Sequence, residues 1–163
     1  MQLTRFTDIG LRVLMRLAAD HGDTTYTARG LATELQVPQA HVAKVVSRLS
    51  EMGVVHARRG RRGGLTITPL GRTAGVGWVT RRLEGDAEVV DCTSPAPCPL
   101  QSVCRLRGAL AEAQNAFYES LDALTVADLV VGQDARLLPL ISRAQPARAG
   151  IATAGEPHSP LEE

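Results

Sequence analysis

Little in this 163-residue chain could anchor it in a bilayer or cross-link it. No apolar run approaches the ~20 residues that a membrane-spanning helix needs, and no signal-peptide pattern opens the sequence, so a cytoplasmic protein with no membrane partner is expected. Three cysteines are an odd number, which excludes a complete set of internal disulfides and fits a reducing compartment. Lysine is almost missing: Lys44 is the only one among 18 basic residues, a preference for arginine that reads as composition bias. The single tryptophan, Trp78, reads as core packing. No convergent acid and base pair and no nucleophile beside a base is visible, so the sequence gives no sign of an enzyme.

What is present is concentrated. All three cysteines lie in Asp91-Cys92-Thr93-Ser94-Pro95-Ala96-Pro97-Cys98-Pro99-Leu100-Gln101-Ser102-Val103-Cys104, with five residues between successive thiols. Pro95, Pro97 and Pro99 restrict φ at three places, so the segment cannot become helix or ladder, and its thiols can converge with less ordering entropy lost. The polar and proline-rich neighbours argue against small buried hydrophobes. Soft thiolates suit an iron–sulfur cluster or zinc, and either normally takes four protein ligands. Structural zinc usually uses short Cys-x-x-Cys knuckles, which are absent, so the spacing favours a cluster. A zinc-stapled module remains the alternative, and the fourth ligand is the open question.

The net charge of +1 conceals a division. Residues 1–83 hold 13 Lys and Arg against 5 Asp and Glu, hence +8; residues 84–163 hold 5 against 12, hence −7. A basic half points to a polyanion partner.

Within that basic half, Phe6, Ile9, Val13, Leu14 and Leu17 recur at helical spacing between Leu3 and Asp20, with Arg5, Asp8, Arg12 and Arg16 on the other face as a surface ion-pair ladder. Thr27 can cap a short helix with Ala28, Leu31, Ala32 and Leu35 inward, and Gln36-Val37-Pro38 turns into another helix. There Val42, Val45, Val46, Leu49 and Met52 form the buried stripe, leaving Gln39, His41, Lys44, Ser47 and Arg48 outward, and Gly53 ends the helix. This is a helix-turn-helix whose second helix carries groove-reading residue types. Val54–Ala57 and Leu65–Thr68 read as strands around a tip holding Arg58, Arg59, Arg61 and Arg62. A basic glycine-rich hairpin directly after a helix-turn-helix reads as a wing that contacts DNA. The expected fold is mostly α with a small β-hairpin: a winged helix-turn-helix over 1–84, with a further helix begun at Thr68-Pro69 and another capped by Thr73.

Residues 85–104 form the cysteine loop. Beyond it, Leu106, Leu110, Ala113, Phe117, Ser120 and Leu124 alternate at four and three, a coiled-coil-like seam. Residues 105–131 are therefore expected to hold a dimerisation helix, although packing back on the first helix is possible, and then a short helix opened by the capping box Thr125-Val126-Ala127-Asp128. From 142 to 163, Pro, Gly, Ala and Glu dominate without period, and a disordered tail is expected.

Taken together, the opening Leu3-Thr4-Arg5-Phe6-Thr7-Asp8-Ile9-Gly10-Leu11-Arg12, the wing glycines Gly60, Gly63 and Gly64, and the three-cysteine loop resemble the winged-helix iron–sulfur regulator family that contains the NsrR and IscR types. The resemblance covers roughly residues 1–130. In the IscR type a histidine shortly after the third cysteine is the fourth ligand; here Arg105 and Arg107 occupy that region, and the histidines are His21, His41, His56 and His158. The opening and the Cys98-Pro99-Leu100 to Cys104 segment look like the NsrR type. That resemblance implies a dimeric repressor of operator DNA with a cluster, 4Fe-4S rather than 2Fe-2S, held by Cys92, Cys98, Cys104 and Asp8 from the other subunit. It also implies that nitric oxide is the signal; Arg12, one turn after Asp8, is placed to hold that carboxylate or to offset cluster charge. The alternative is a redox or iron–sulfur-status sensor of the same fold.

Overall fold

Thr4 starts the first helix because its hydroxyl accepts the amide of Thr7 at 3.3 Å, while Glu84 Oε1, from far along the chain, accepts the Thr4 amide at 2.8 Å. In the computed structural model, which describes residues 2–20, 25–58, 63–85, 88–92 and 95–132, this helix is α1, Arg5–Ala18. The order continues with α2 (Ala28–Glu34), α3 (Gln39–Glu51), β1 (Val55–Arg58), β2 (Gly64–Ile67), α4 (Pro69–Thr73), α5 (Val76–Glu84) and α6 (Arg105–Asp122). The periodic stripes read from the sequence are the core: Ile9, Val13, Leu14 and Leu17 of α1 pack with Leu31, Val42, Val45, Leu49 and Val79. Each such fully buried side chain contributes roughly 1.5–3 kcal/mol, which fixes α1 against the helix-turn-helix.

The expected caps fall into place at Thr27, whose hydroxyl accepts the Gly30 amide at 3.0 Å, and at Thr68, which accepts the Gly71 amide at 2.9 Å. Gly53 closes α3 with φ 74°, and the Val54 amide reaches back to Leu49 O at 3.1 Å. The two strands pair antiparallel, Val55 with Ile67 through Arg58 with Gly64. The arginine-bearing tip, Arg59 to Arg62, lies outside the described residues, as does the tail expected over 142–163.

Two expectations are corrected. Thr73 does not cap α5; its hydroxyl bonds back to Pro69 O, and the N-cap residue is Gly75. The orphan amides of α5 are met from the end of α6 and the turn after it instead: Asp122 Oδ1 accepts the Trp78 amide at 2.6 Å and Leu124 O accepts Val76 N–H at 2.9 Å. The second correction concerns the short helix after Thr125. The capping box does form, with Asp128 Oδ2 accepting from the Thr125 amide and hydroxyl, yet the chain continues as turns to Gly132. Val126 N–H donates to Ala74 O and Ala127 N–H to Arg72 O, which docks the segment on α4, while its own backbone bonds are three-residue turns, Asp128 N–H to Thr125 O and Val130 N–H to Ala127 O.

The last helix packs on α5 rather than on α1. Tyr118 is its one buried residue, and the backbones approach so closely that a Cβ on Gly77 would lie 1.9 Å from Tyr118 O. Trp78 sits partly buried against the core with the Arg82 guanidinium 4.6 Å above its ring.

Candidate nucleic-acid interface and metal centre

Along α3, the buried stripe turns Gln39, His41, Lys44 and Ser47 to the exposed side. Gln39, His41 and Lys44 make no hydrogen bond or ion pair among the described residues, so their polar groups face solvent ready for base edges or phosphates. Ser47 leans on Glu51 at 3.5 Å. Arg48 differs from its neighbours: it pairs with Glu51 at 3.4 Å and donates to Arg82 O at 3.2 Å, so it ties α3 to the end of α5. Arg58, at the end of β1, is exposed.

The attitude of the wing is set by a network invisible to periodicity. Tyr26 adds a bridge to β2, its amide donating to Leu65 O at 3.2 Å and its carbonyl accepting from Leu65 N at 2.7 Å. Its hydroxyl donates to Asp20 at 2.8 Å and accepts from Arg16 at 2.7 Å. Burial first, and then the bond to Asp20, raise its pKa, so it remains a neutral donor. Arg16 also pairs with Glu34 of α2 at 2.7 Å, with side chains only 12% and 21% exposed. It is therefore no rung of a surface ladder; it joins α1, α2 and the wing. Arg72 of α4 adds bonds to Ala18 O and Asp20 O at the end of α1.

At the other end of α1, Asp8 and Arg12 do form the expected pair, at 2.8 Å and half exposed. They line an open cleft of about 680 Å³ with Leu3, Leu35 and Val37. The turn beside it holds Gln36 at φ 54°, a left-handed residue that lets the Val37 amide bond to Ala32 O at 3.0 Å.

The cysteine segment follows α5. Cys92, Cys98 and Cys104 are all free and half-buried. Local turns organise them: the Cys98 amide donates to Cys92 O at 3.2 Å and the Gln101 amide to Cys98 O at 3.0 Å. Cys104 is the N-cap residue of α6, and its side chain makes no capping bond. Burial, followed by the charge of Cys98, raises the Cys92 pKa, while Arg107 opposes the shift. Among the described residues no three His, Cys, Asp or Glu side chains stand together as a ready metal-holding group: the three thiols, although on one segment, are not drawn to one point, and Asp8 is not gathered with them. The donor set nevertheless fits a cluster: three soft thiols on one loop, one of them at a helix N-terminus.

The seam of α6 is largely uncovered, with Leu110 and Phe117 half-buried. Leu106 is 63% exposed, Ala113 and Ser120 are exposed, and Leu124 is 44% exposed, while Leu100 and Val103 continue the apolar surface into the cysteine segment. No helix among the described residues is long and apolar enough to cross a membrane.

Residues 3–132 match the model of the Rrf2 family, described as an iron-dependent transcriptional regulator. The chain is 58% identical over 131 residues to the HTH-type transcriptional repressor NsrR of Streptomyces coelicolor, covering 80% of this chain and 88% of that one. It is 36% identical over 132 residues to the HTH-type transcriptional regulator NsrR of Geobacillus kaustophilus, covering 80% and 90% respectively. Among solved structures it resembles the global cysteine regulator CymR of B. subtilis, with a TM-score of 0.62 at 24% identity over 80% of this chain and 97% of that one. That likeness confirms the winged-helix fold.

Proposed function

The chain belongs to the Rrf2 family of transcriptional regulators, and from that premise we propose that it is a dimeric repressor that senses nitric oxide through an iron–sulfur cluster, 4Fe-4S rather than 2Fe-2S, as the resemblance of its opening and its three-cysteine segment implies. The observation that carries the proposal is the placement of Cys104 at the start of α6, which puts the three-thiol loop at the head of a helix whose apolar seam is largely uncovered. In the proposed dimer a second subunit covers that seam, and Asp8, half exposed in the α1 cleft, is free to reach a neighbouring chain. Cys92, Cys98 and Cys104 of one subunit and Asp8 of the other would hold the cluster.

When bound, the cluster supplies iron that reacts with nitric oxide. The chain supplies the rest. A hard carboxylate is a weak partner for a soft centre, and Arg12, one turn along α1, is a ready alternative for it at 2.8 Å. Free of a cluster, Asp8 would pair with Arg12 as it does in this structure, and would no longer link one subunit to the other. Because α1 is fixed in the core against α3, a change in the relative position of two α1 helices changes the separation of the two reading helices. Gln39, His41, Lys44 and Ser47, with Arg58 and the wing-tip arginines Arg59, Arg61 and Arg62, are the proposed DNA contacts. Arg48 serves in that set by holding α3 to α5.

Anaerobic native mass spectrometry of the purified full chain tests the reading, alongside visible absorption and operator binding before and after nitric oxide. A brown dimer carrying iron and sulfide, which loses operator affinity on exposure, is expected. A colourless protein with zinc on its thiols, or a cluster whose reaction leaves operator affinity unchanged, would refute it.

A further inference from the structure

The cysteine segment has two mouths, and one ion pair spans them. Glu88 lies four residues before Cys92 and Arg107 three after Cys104. Arg107 Nε donates to Glu88 Oε2 at 2.7 Å and Nη2 to Oε1 at 2.5 Å, a two-pronged contact between residues 19 apart. We propose that Arg107 and Glu88 form a clasp that closes the ends of the cysteine segment and limits how far its three thiols can separate before cluster uptake.

The inference rests on the cofactor reading above, but the clasp itself stands on geometry. Residue 107 is one turn past the N-cap Cys104, so helix spacing aims its side chain back toward the loop rather than along α6. Beside its fork to Glu88, Arg107 lines an open cleft with Cys98, Pro99, Gln101 and Ser102, so the clasp lies against the middle of the cysteine segment. The backbone bonds inside the segment are short-range, such as Cys98 N–H to Cys92 O and Val103 N–H to Leu100 O. They shape turns without joining the ends. The clasp joins them, removing extended conformers in which Cys92 and Cys104 lie apart. Single exposed ion pairs often contribute little, yet a bidentate guanidinium–carboxylate fork is the favourable exception, and here it encloses every thiol in the chain. Arginine also has no lone pair to offer iron, so at this position it can order the loop without competing as a ligand.

Amide hydrogen exchange of the full chain prepared without iron reads the clasp directly. Glu88→Gln and Arg107→Gln should each speed exchange across residues 89–103 by about fivefold, and the swap of Glu88→Arg with Arg107→Glu should restore the protection because the fork is rebuilt with its charges exchanged. The single variants should also assemble a cluster from ferrous iron and sulfide more slowly, while reaching the parent's final visible spectrum. Unchanged exchange in both single variants would overturn the proposal. So would failure of the swap to restore protection, which would show that Arg107 acts through its charge alone. A parent that took up no iron or sulfide would sink the cofactor reading and with it the role in cluster uptake, while the exchange result would still report the clasp.

Discussion

Gln36 is the one residue other than glycine with positive φ among the described residues, and the cost of that conformation is local. Left-handed backbone costs a residue with a Cβ roughly 1 kcal/mol, whereas glycine tolerates it at some expense in unfolded-state entropy. Gln36→Gly should therefore raise stability by about 0.5–1 kcal/mol, seen as a higher denaturant midpoint with an unchanged slope. A lower midpoint would mean that the Gln36 side chain contributes more than its strained backbone costs. At the same scale, each of Cys92→Ala, Cys98→Ala and Cys104→Ala should abolish cluster retention, because the chain has no spare thiol. Full iron and sulfide in any one of them would remove that cysteine from the ligand set. Asp8→Ala should be milder: the cluster still assembles but is more labile, since water or another oxygen donor can replace a carboxylate. A variant matching the parent in both spectrum and rate with nitric oxide would return Asp8 to its pairing with Arg12 alone.

At the scale of elements, the close approach of α5 and α6 is the most exposed to a single methyl group. A Cβ on Gly77 would meet backbone, 1.9 Å from Tyr118 O, and backbone cannot rotate aside. Gly77→Ala should destabilise the docking of α6 by about 2–3 kcal/mol, with faster amide exchange over residues 115–122 and a lower Tm; an unchanged Tm would show that the helices can separate freely. This crossing also shows what the sequence could and could not convey. The stripes of α1 and α3 and the caps at Thr27 and Thr68 were legible because their signals lie within a few residues of the structure they make. Gly77 against Tyr118, Asp122 on the Trp78 amide and Arg16 between Glu34 and Tyr26 depend on partners brought together only by tertiary packing. The cysteine segment was legible for the same reason as the caps, its three donors being neighbours in sequence. Glu88 escaped because nothing in its local pattern marks it as Arg107's partner. The capping box at Thr125 misled for a related reason: its own bonds form, but the segment docks on α4 and continues in three-residue turns, an outcome set by a partner distant in sequence.

Over the whole molecule, charge and apolar surface divide the labour. The basic half, residues 1–83, carries the reading helix and wing, so Lys44→Ala and Arg59→Ala should weaken operator binding without altering the cluster spectrum, and affinity should fall steeply with salt. A flat salt dependence would move the DNA surface elsewhere. The acidic half carries the cysteine loop and the largely uncovered seam of α6, and that separation leads to the last expectation. If Leu106, Leu110, Phe117 and Leu124 hold two chains together, the dimer bond and the cluster tie are different contacts, and breaking the second need not break the first. Nitric oxide should lower operator affinity at least tenfold, about 1.4 kcal/mol, since a smaller shift would hardly change promoter occupancy. Anaerobic size-exclusion chromatography should nevertheless show a dimer before and after exposure. Elution of the exposed protein as a monomer would make the cluster the principal bond between subunits. Release would then follow from dissociation rather than from a change in the spacing of two reading helices that stay paired.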